Sequence, residues 1–260
     1  MPEGDTIVRI AAALRPDLVG HEIKRVHCRW EGVTGGLVGT TVEGIDTLGK
    51  HMIIRFDDDT ALRVHLGLHG SWHRYEPGER WKKPLFEMAC MLETEEDVLV
   101  CFTAPTVERL RQKELATHRI LTQLGPDLLS NPDLDEIMRR TRSLGRDRPL
   151  SICLLDQHIA AGVGNVYKSD VLFLMALLPD HRADELDDET WLRMWTLARD
   201  LLEKNRDRPR ATREGKGDRN WVYGRAGKGC LRCRTRILVK EEGEDGGLQR
   251  ITFWCPHCQK

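Results

Sequence analysis

Near the C-terminal end of the 260-residue sequence, two residues separate Cys230 from Cys233, and two more separate Cys255 from Cys258. The pairs stand 21 residues apart. A segment this short cannot bury enough apolar surface to fold around a core of its own, so something else must hold it. Two such pairs offer four thiolates, a set that closes around one tetrahedral zinc and leaves no position for a catalytic water. Two disulfides are the competing arrangement, and zinc is favoured because nothing suggests an oxidising compartment. His257, between two of the ligands, is not expected as a fifth. The other cysteines, Cys28, Cys90, Cys101 and Cys153, are scattered among mostly apolar neighbours and read as reduced core residues.

The opposite end carries a different constraint. The sequence begins Met1-Pro2-Glu3-Gly4-Asp5-Thr6. A small second residue permits removal of Met1, which leaves Pro2 with a secondary amine. An α-amino group titrates at roughly 7.7 to 8.0, well below a lysine, so it is partly neutral and nucleophilic near neutral pH. Asp5 or Thr6 can cap a helix through Ile7, Ile10, Ala11 and Leu14 that ends near Pro16. Pro2 and Glu3 then sit at the positive end of that helix, where the dipole disfavours a protonated amine and favours a carboxylate. An ordinary N-terminus beside a capped helix has the same pattern, so the rest of the chain must decide.

After this helix the period changes to two, in Val26-Cys28-Trp30, in Ile54-Phe56, and in Leu62-Val64-Leu66 beyond a turn at 57–59. A further hairpin joins Met88-Leu92 to Val98-Phe102. Residues 1–118 therefore read as an antiparallel β-sandwich led by one helix. Leu124-Gly125-Pro126-Asp127, with Asn131-Pro132 behind it, breaks the periodicity and sets a linker over 119–132. Helical spacing follows from Leu134 to Leu144, Leu150 to Ile159, Val166 to Leu178 and Glu189 to Lys204, the last capped near Asp187 or Asp188. The organisation is thus 1–118 β-sandwich, 119–132 linker, 133–222 helical domain and 223–260 zinc finger, an α+β chain. No window of about 18 apolar residues could span a bilayer, and the N-terminus does not resemble a signal peptide.

Net charge is −1 and at first argues against a nucleic-acid partner, but its distribution matters more than its sum. Residues 199–236 hold 13 Lys or Arg against 5 Asp or Glu, while acidic blocks at 93–97, 184–189 and 241–245 offset them. Gly162-Val163-Gly164-Asn165-Val166-Tyr167 adds a glycine turn before a helix, flanked by Arg146, Arg148 and Lys168. Such a helix start presents free N–H groups and a positive dipole to a phosphate, and Asn165 at the N-cap can bond the same group.

Pro2-Glu3-Gly4-Asp5, Gly49-Lys50-His51-Met52, the 65–72 stretch His-Leu-Gly-Leu-His-Gly-Ser-Trp, the Asn165 turn, 221–225 and Gln249-Arg250-Ile251-Thr252-Phe253 within the finger stand in one order. Together they resemble the formamidopyrimidine-DNA glycosylase and endonuclease VIII family from Pro2 to Cys258. The resemblance implies a DNA glycosylase and abasic-site lyase with Pro2 as nucleophile and Glu3 and Lys50 assisting. It implies that Leu68 fills the space of an extruded nucleotide with His69 beside it, that Asn165, Lys168 and Arg250 bind DNA, and that Cys230, Cys233, Cys255 and Cys258 hold one structural Zn2+. It also implies a helix-two-turns-helix element in the helical domain. Where the purine-lesion branch carries an arginine and a phenylalanine, this chain reads Phe102-Thr103-Ala104-Pro105-Thr106. The endonuclease VIII branch, acting chiefly on oxidised pyrimidines, is therefore expected. The alternatives are an 8-oxoguanine enzyme of the same fold and a non-catalytic zinc-dependent DNA-binding protein. A cytoplasmic monomer, nucleoid-associated if bacterial, with damaged DNA as its partner completes the expectation.

Overall fold

The structure is a computed structural model that describes residues 2–243 and 249–260. Met1, whose removal the sequence predicts, and Asp245, the end of one predicted acidic block, lie outside the described residues. The chain divides into two compact units, Met1–Gln123 and Leu124–Lys260.

The first unit opens with α1 (Gly4–Leu18) and continues through β1 (Arg25–Cys28), β2 (Val42–Leu48), β3 (His51–Phe56), β4 (Thr60–His65), β5 (Ser71–Tyr75), β6 (Met88–Glu93), β7 (Val98–Phe102) and β8 (Thr106–Arg111) to a short α2 (Gln112–Leu115). Two four-stranded antiparallel sheets form, in the orders β1-β6-β7-β5 and β2-β3-β4-β8. Their period-two apolar residues meet in one core: Met52, Ile54, Leu62 and Val64 of one sheet join Cys90, Leu92, Leu99 and Cys101 of the other. Ile7, Ala11, Leu14 and Leu18 close that core along one face of α1. The helix has its N-cap two or three residues earlier than expected, at Glu3, and runs through Pro16 to Leu18. Asp5 is buried within the first turn instead, and Pro16 is tolerated in the last turn because only one backbone bond is lost there.

The second unit contains α3 (Leu134–Arg140), α4 (Leu150–Leu155), α5 (Asn165–Leu174), α6 (Asp188–Lys204) and a hairpin of β9 (Leu238–Glu242) and β10 (Arg250–Trp254). The predicted helix over 134–144 gives way to a π turn at Thr141–Gly145, and Asp187 caps α6 by accepting from Thr190 N at 2.8 Å. Trp191, Met194, Trp195, Ala198 and Leu202 line the buried face of α6, against Tyr167, Val171 and Leu172 of α5. A second cluster joins Phe173 of α5 to Val222, Cys230, Ile237 and Cys255, so the finger shares its core with that helix. Among the described residues, no helix is long and apolar enough to cross a membrane.

Candidate functional site

In the first unit, Pro2 is partly exposed and directly precedes Glu3, whose side chain is fully buried and whose carbonyl accepts from Thr6 N at 2.9 Å and Ile7 N at 3.0 Å. The backbone dipoles of α1 converge on these two residues. Arg15 Nη2 donates to Ile45 O at 2.7 Å and Val19 bridges to Val42, so α1 runs antiparallel to β2. Glu3 lies about 18 Å back from Arg15 at 1.5 Å per residue, towards the Leu48 end of that strand.

That end of the sheet carries two turns. Gly49 and Lys50 form a two-residue hairpin between Leu48 and His51, with Gly49 at φ +56°, a left-handed value that favours glycine. Lys50 therefore sits in the turn itself, one residue before β3. His51 pairs with His65 across β3 and β4, and the chain leaving His65 makes the second turn, closed by Gly70 N donating to Leu66 O at 2.9 Å. No side chain fits at Gly70, where a Cβ would stand 2.3 Å from Leu66 O, or comfortably at Gly67, where it would stand 2.8 Å from Pro105. The turn thus pushes Leu68 outwards, 38% exposed, with His69 exposed beside it. Leu68 does not pack into the sandwich.

Behind these turns lies a polar network that the sequence did not suggest. Arg63 Nη1 donates to His51 Nδ1 at 2.8 Å, so Nδ1 is unprotonated and the neutral ring carries its hydrogen on Nε2. Arg63 Nε also bonds Glu108 Oε1, and His118 Nε2 lies 2.9 Å from the same oxygen. His118 Nδ1 accepts from Ile120 N at 3.3 Å and Leu121 N at 3.4 Å, which leaves Nε2 as the donor to Glu108. Burial first, then the nearby His65, Arg63, His118 and Lys50, push the His51 pKa down to about 3. The only available signal was polar residues recurring on the outer strand face, and alternation assigns that face to solvent.

In the second unit, Gln157 braces the turns between α4 and α5: its Nε2 donates to Val163 O at 3.0 Å and its Oε1 accepts from Gly162 N at 3.1 Å. Gly164 is the N-cap of α5, and Asn165, expected there, is its first helical residue. Asn165 Nδ2 donates to Ile251 O at 2.6 Å, beside Arg250 at the start of β10. Arg250 is partly exposed, and among the described residues no carboxylate lies within ion-pair distance of its guanidinium. Lys168 departs from the expected basic flank. It is 0% exposed and faces the finger, bonding Thr252 Oγ1 and lying 3.5 Å from Glu242 Oε1, because helical spacing from Asn165 turns it onto the same inner face. Burial lowers its pKa to about 8 against the opposing pull of Glu242. Asp170, two residues on, is fully buried and accepts from the backbone N–H groups of Trp221, Val222 and Tyr223 at 2.9, 2.9 and 3.0 Å. Thr212 Oγ1 bonds the same carboxylate, so the basic 205–220 stretch is tied to α5 at its middle.

The four finger thiols lie within 4.8 Å of one another. Cys230 Sγ stands 3.9 Å from Cys258 Sγ, and Cys233 Sγ 3.5 Å from Cys255 Sγ. Ligands at about 2.3 Å from a tetrahedral zinc are about 3.8 Å apart, so the set fits that ion. Arg232 N is directed at Cys230 Sγ at 3.4 Å. All four bonds would go to protein sulfur, and the ion's contribution is to hold the hairpin.

Residues 1–112 match the family profile described as formamidopyrimidine-DNA glycosylase N-terminal domain, and residues 124–212 match its H2TH domain. Over its whole length the chain is 40% identical to a Streptomyces coelicolor protein named probable endonuclease 8 2, covering 94% of it. It is 37% identical to the Mycolicibacterium smegmatis DNA-(apurinic or apyrimidinic site) lyase Nei2 and 31% identical to an Escherichia coli endonuclease 8, covering 99% and 100% of them. The fold is that of Lactococcus lactis Fpg, seen in complex with an abasic-site DNA, at a TM-score of 0.84 and 21% identity with both chains fully covered.

Elemental analysis should return about one zinc per chain. After chelation under denaturing conditions, all eight cysteines should titrate as thiols, whereas two missing pairs would mean disulfides. The His51 site makes a second prediction. An unfolded histidine titrates near 6.5 and the folded one near 3, so this group's contribution is whole above about 6.5 and is lost as pH falls towards 3. Urea unfolding of the wild type should weaken relative to His51→Asn by about 1 kcal/mol per pH unit across that range. Parallel curves would contradict a buried neutral ring.

Proposed function

The chain belongs to the formamidopyrimidine-DNA glycosylase family, and from that premise we propose that it excises oxidised bases, chiefly pyrimidines, through a covalent intermediate on Pro2. The reaction class follows from the family and from the lyase and endonuclease 8 relatives: a DNA glycosylase and abasic-site lyase of base excision repair. One observation carries the mechanistic reading. The partly exposed Pro2 and buried Glu3 begin a helix whose N-terminus lies towards the sheet end that holds Lys50.

The Pro2 nitrogen attacks the sugar C1′, the glycosidic bond breaks, and the base leaves with its electron pair and takes up a proton. Loss of the amine proton and opening of the sugar ring give an iminium ion between Pro2 and C1′. This cation withdraws electrons from C2′, whose proton passes to a base as the C3′–O bond breaks and the 3′ phosphate departs. A second elimination releases the 5′ phosphate, and water then frees Pro2. Glu3 shuttles protons at the sugar, and Lys50 assists while holding a phosphate. Asn165 and Arg250 grip further phosphates, the guanidinium with its planar fork of donors. Cys230, Cys233, Cys255 and Cys258 would hold Zn2+, which would keep β10 and Arg250 in place. Lys168 is better suited to bracing this grip than to touching DNA, given its burial.

Leu68 is the wedge, since its turn leaves it exposed where an apolar side chain gains by entering a base stack. His69 faces the opposite strand. The preference for pyrimidines is supported by the connection from β7 to β8, only residues 103–105, in which Ala104 is buried and Pro105 lies against Gly67. Nothing there is long enough to probe the base opposite a lesion.

On duplexes with one oxidised pyrimidine or one 8-oxoguanine opposite cytosine, single-turnover excision should favour the pyrimidine by about tenfold or more. Leu68→Ala should slow base excision by about tenfold while sparing cleavage of a preformed abasic site. Faster release of 8-oxoguanine would contradict the lesion assignment, and equal loss on both substrates would contradict the wedge.

A further inference from the structure

The two turns assigned to DNA begin and end on adjacent residues of one strand pair. His51 follows Lys50, His65 precedes the Leu68 turn, and the two histidines are register partners with ring centroids 4.8 Å apart. We propose that His51 is a positioning residue for the lyase site, fixed by Arg63 so that the Lys50 turn keeps its place against the turn bearing Leu68. The inference rests on Lys50 acting as described above.

The geometry supplies the reason. A two-residue turn transmits any rotation of its neighbours directly to Lys50, and packing alone leaves a ring free to tilt. The 2.8 Å bond from Arg63 to His51 Nδ1 removes that freedom because it is directional and made by a rigid guanidinium. Arg63 is itself held from the other side by Glu108, its register partner on β8, and Glu108 by His118. The chain of contacts thus runs from the 118–121 segment across β8 and β4 to the first residue of β3. An apolar ring at 51 would fill the same space but take from the buried Arg63 the acceptor that its Nη1 meets.

Two replacements separate hydrogen bonding from packing. His51→Phe keeps a ring without the acceptor, whereas His51→Asn keeps an acceptor atom where Nδ1 stood. Three readouts are needed: single-turnover cleavage of an abasic duplex at saturating enzyme, the dissociation constant for a duplex with a reduced abasic site, and thermal melting. His51→Phe should slow cleavage by about tenfold or more, with affinity changed less than about threefold, and His51→Asn should restore the rate to within about threefold of wild type. Arg63→Met, which removes the donor, should slow cleavage like His51→Phe and decides the matter if the phenylalanine variant does not melt cooperatively. Equal rates for the Phe and Asn variants, or a loss confined to affinity, would overturn the inference. Lys50→Ala distinguishes the two levels: if it cleaves at the wild-type rate, Lys50 itself is misassigned, whereas if it collapses while His51→Phe does not, only the positioning role fails.

Discussion

A nucleophile on the first residue of a mature chain is tethered on one side only, so its position depends on what holds the residues that follow. Here that is the burial of α1 against the second sheet of the sandwich. Ile7, Ala11, Leu14 and Leu18 fill the shared core, and Arg15 fixes the axis to the backbone of β2. Burial of four such side chains contributes on the order of several kcal/mol, far more than a terminal amine could recover from contacts of its own. Glu3, buried at the N-cap, extends that order to the residue next to Pro2. The β-sandwich thus aims α1 and presents the Lys50 and Leu68 turns from one end of one sheet.

The second unit solves a different problem with polar side chains. Its hairpin is too small to hold itself, and four thiols gather at one end of it. Along α5, Asn165, Lys168 and Asp170 each reach a different part of the finger or the segment leading to it. A buried lysine and a buried aspartate are costly to desolvate, and each is tolerated because several bonds meet it. This arrangement sets the strand that bears Arg250 against the helix start that bears Asn165.

Much of this was legible in the sequence, for identifiable reasons. Period-two runs located the hairpins around 57–59 and 93–98 because each strand buries one face, and the cysteine spacing implied the finger because few arrangements use four thiols. The cap of α1 was misplaced because Asp5 and Thr6 are good capping residues, whereas tertiary burial drew the helix start back to Glu3. Lys168 looked like part of a basic surface because charge counts along a chain cannot tell which face of a helix a residue occupies. The His51 network was invisible for a related reason. A period of two puts His51, Arg63 and Glu108 on the strand face away from the sandwich core, yet His51 and Arg63 are buried and all three are joined through one guanidinium.

The proposed reaction requires Pro2 as the covalent nucleophile. Borohydride reduces an iminium to a stable amine, so incubation with an abasic duplex and borohydride followed by peptide mapping reads the attachment point directly. One crosslink per chain on the peptide that begins at Pro2, absent in Pro2→Gly with Met1 still removed, is the predicted result. A crosslink on Lys50 or elsewhere, or strand cleavage without any trapped complex, would contradict it.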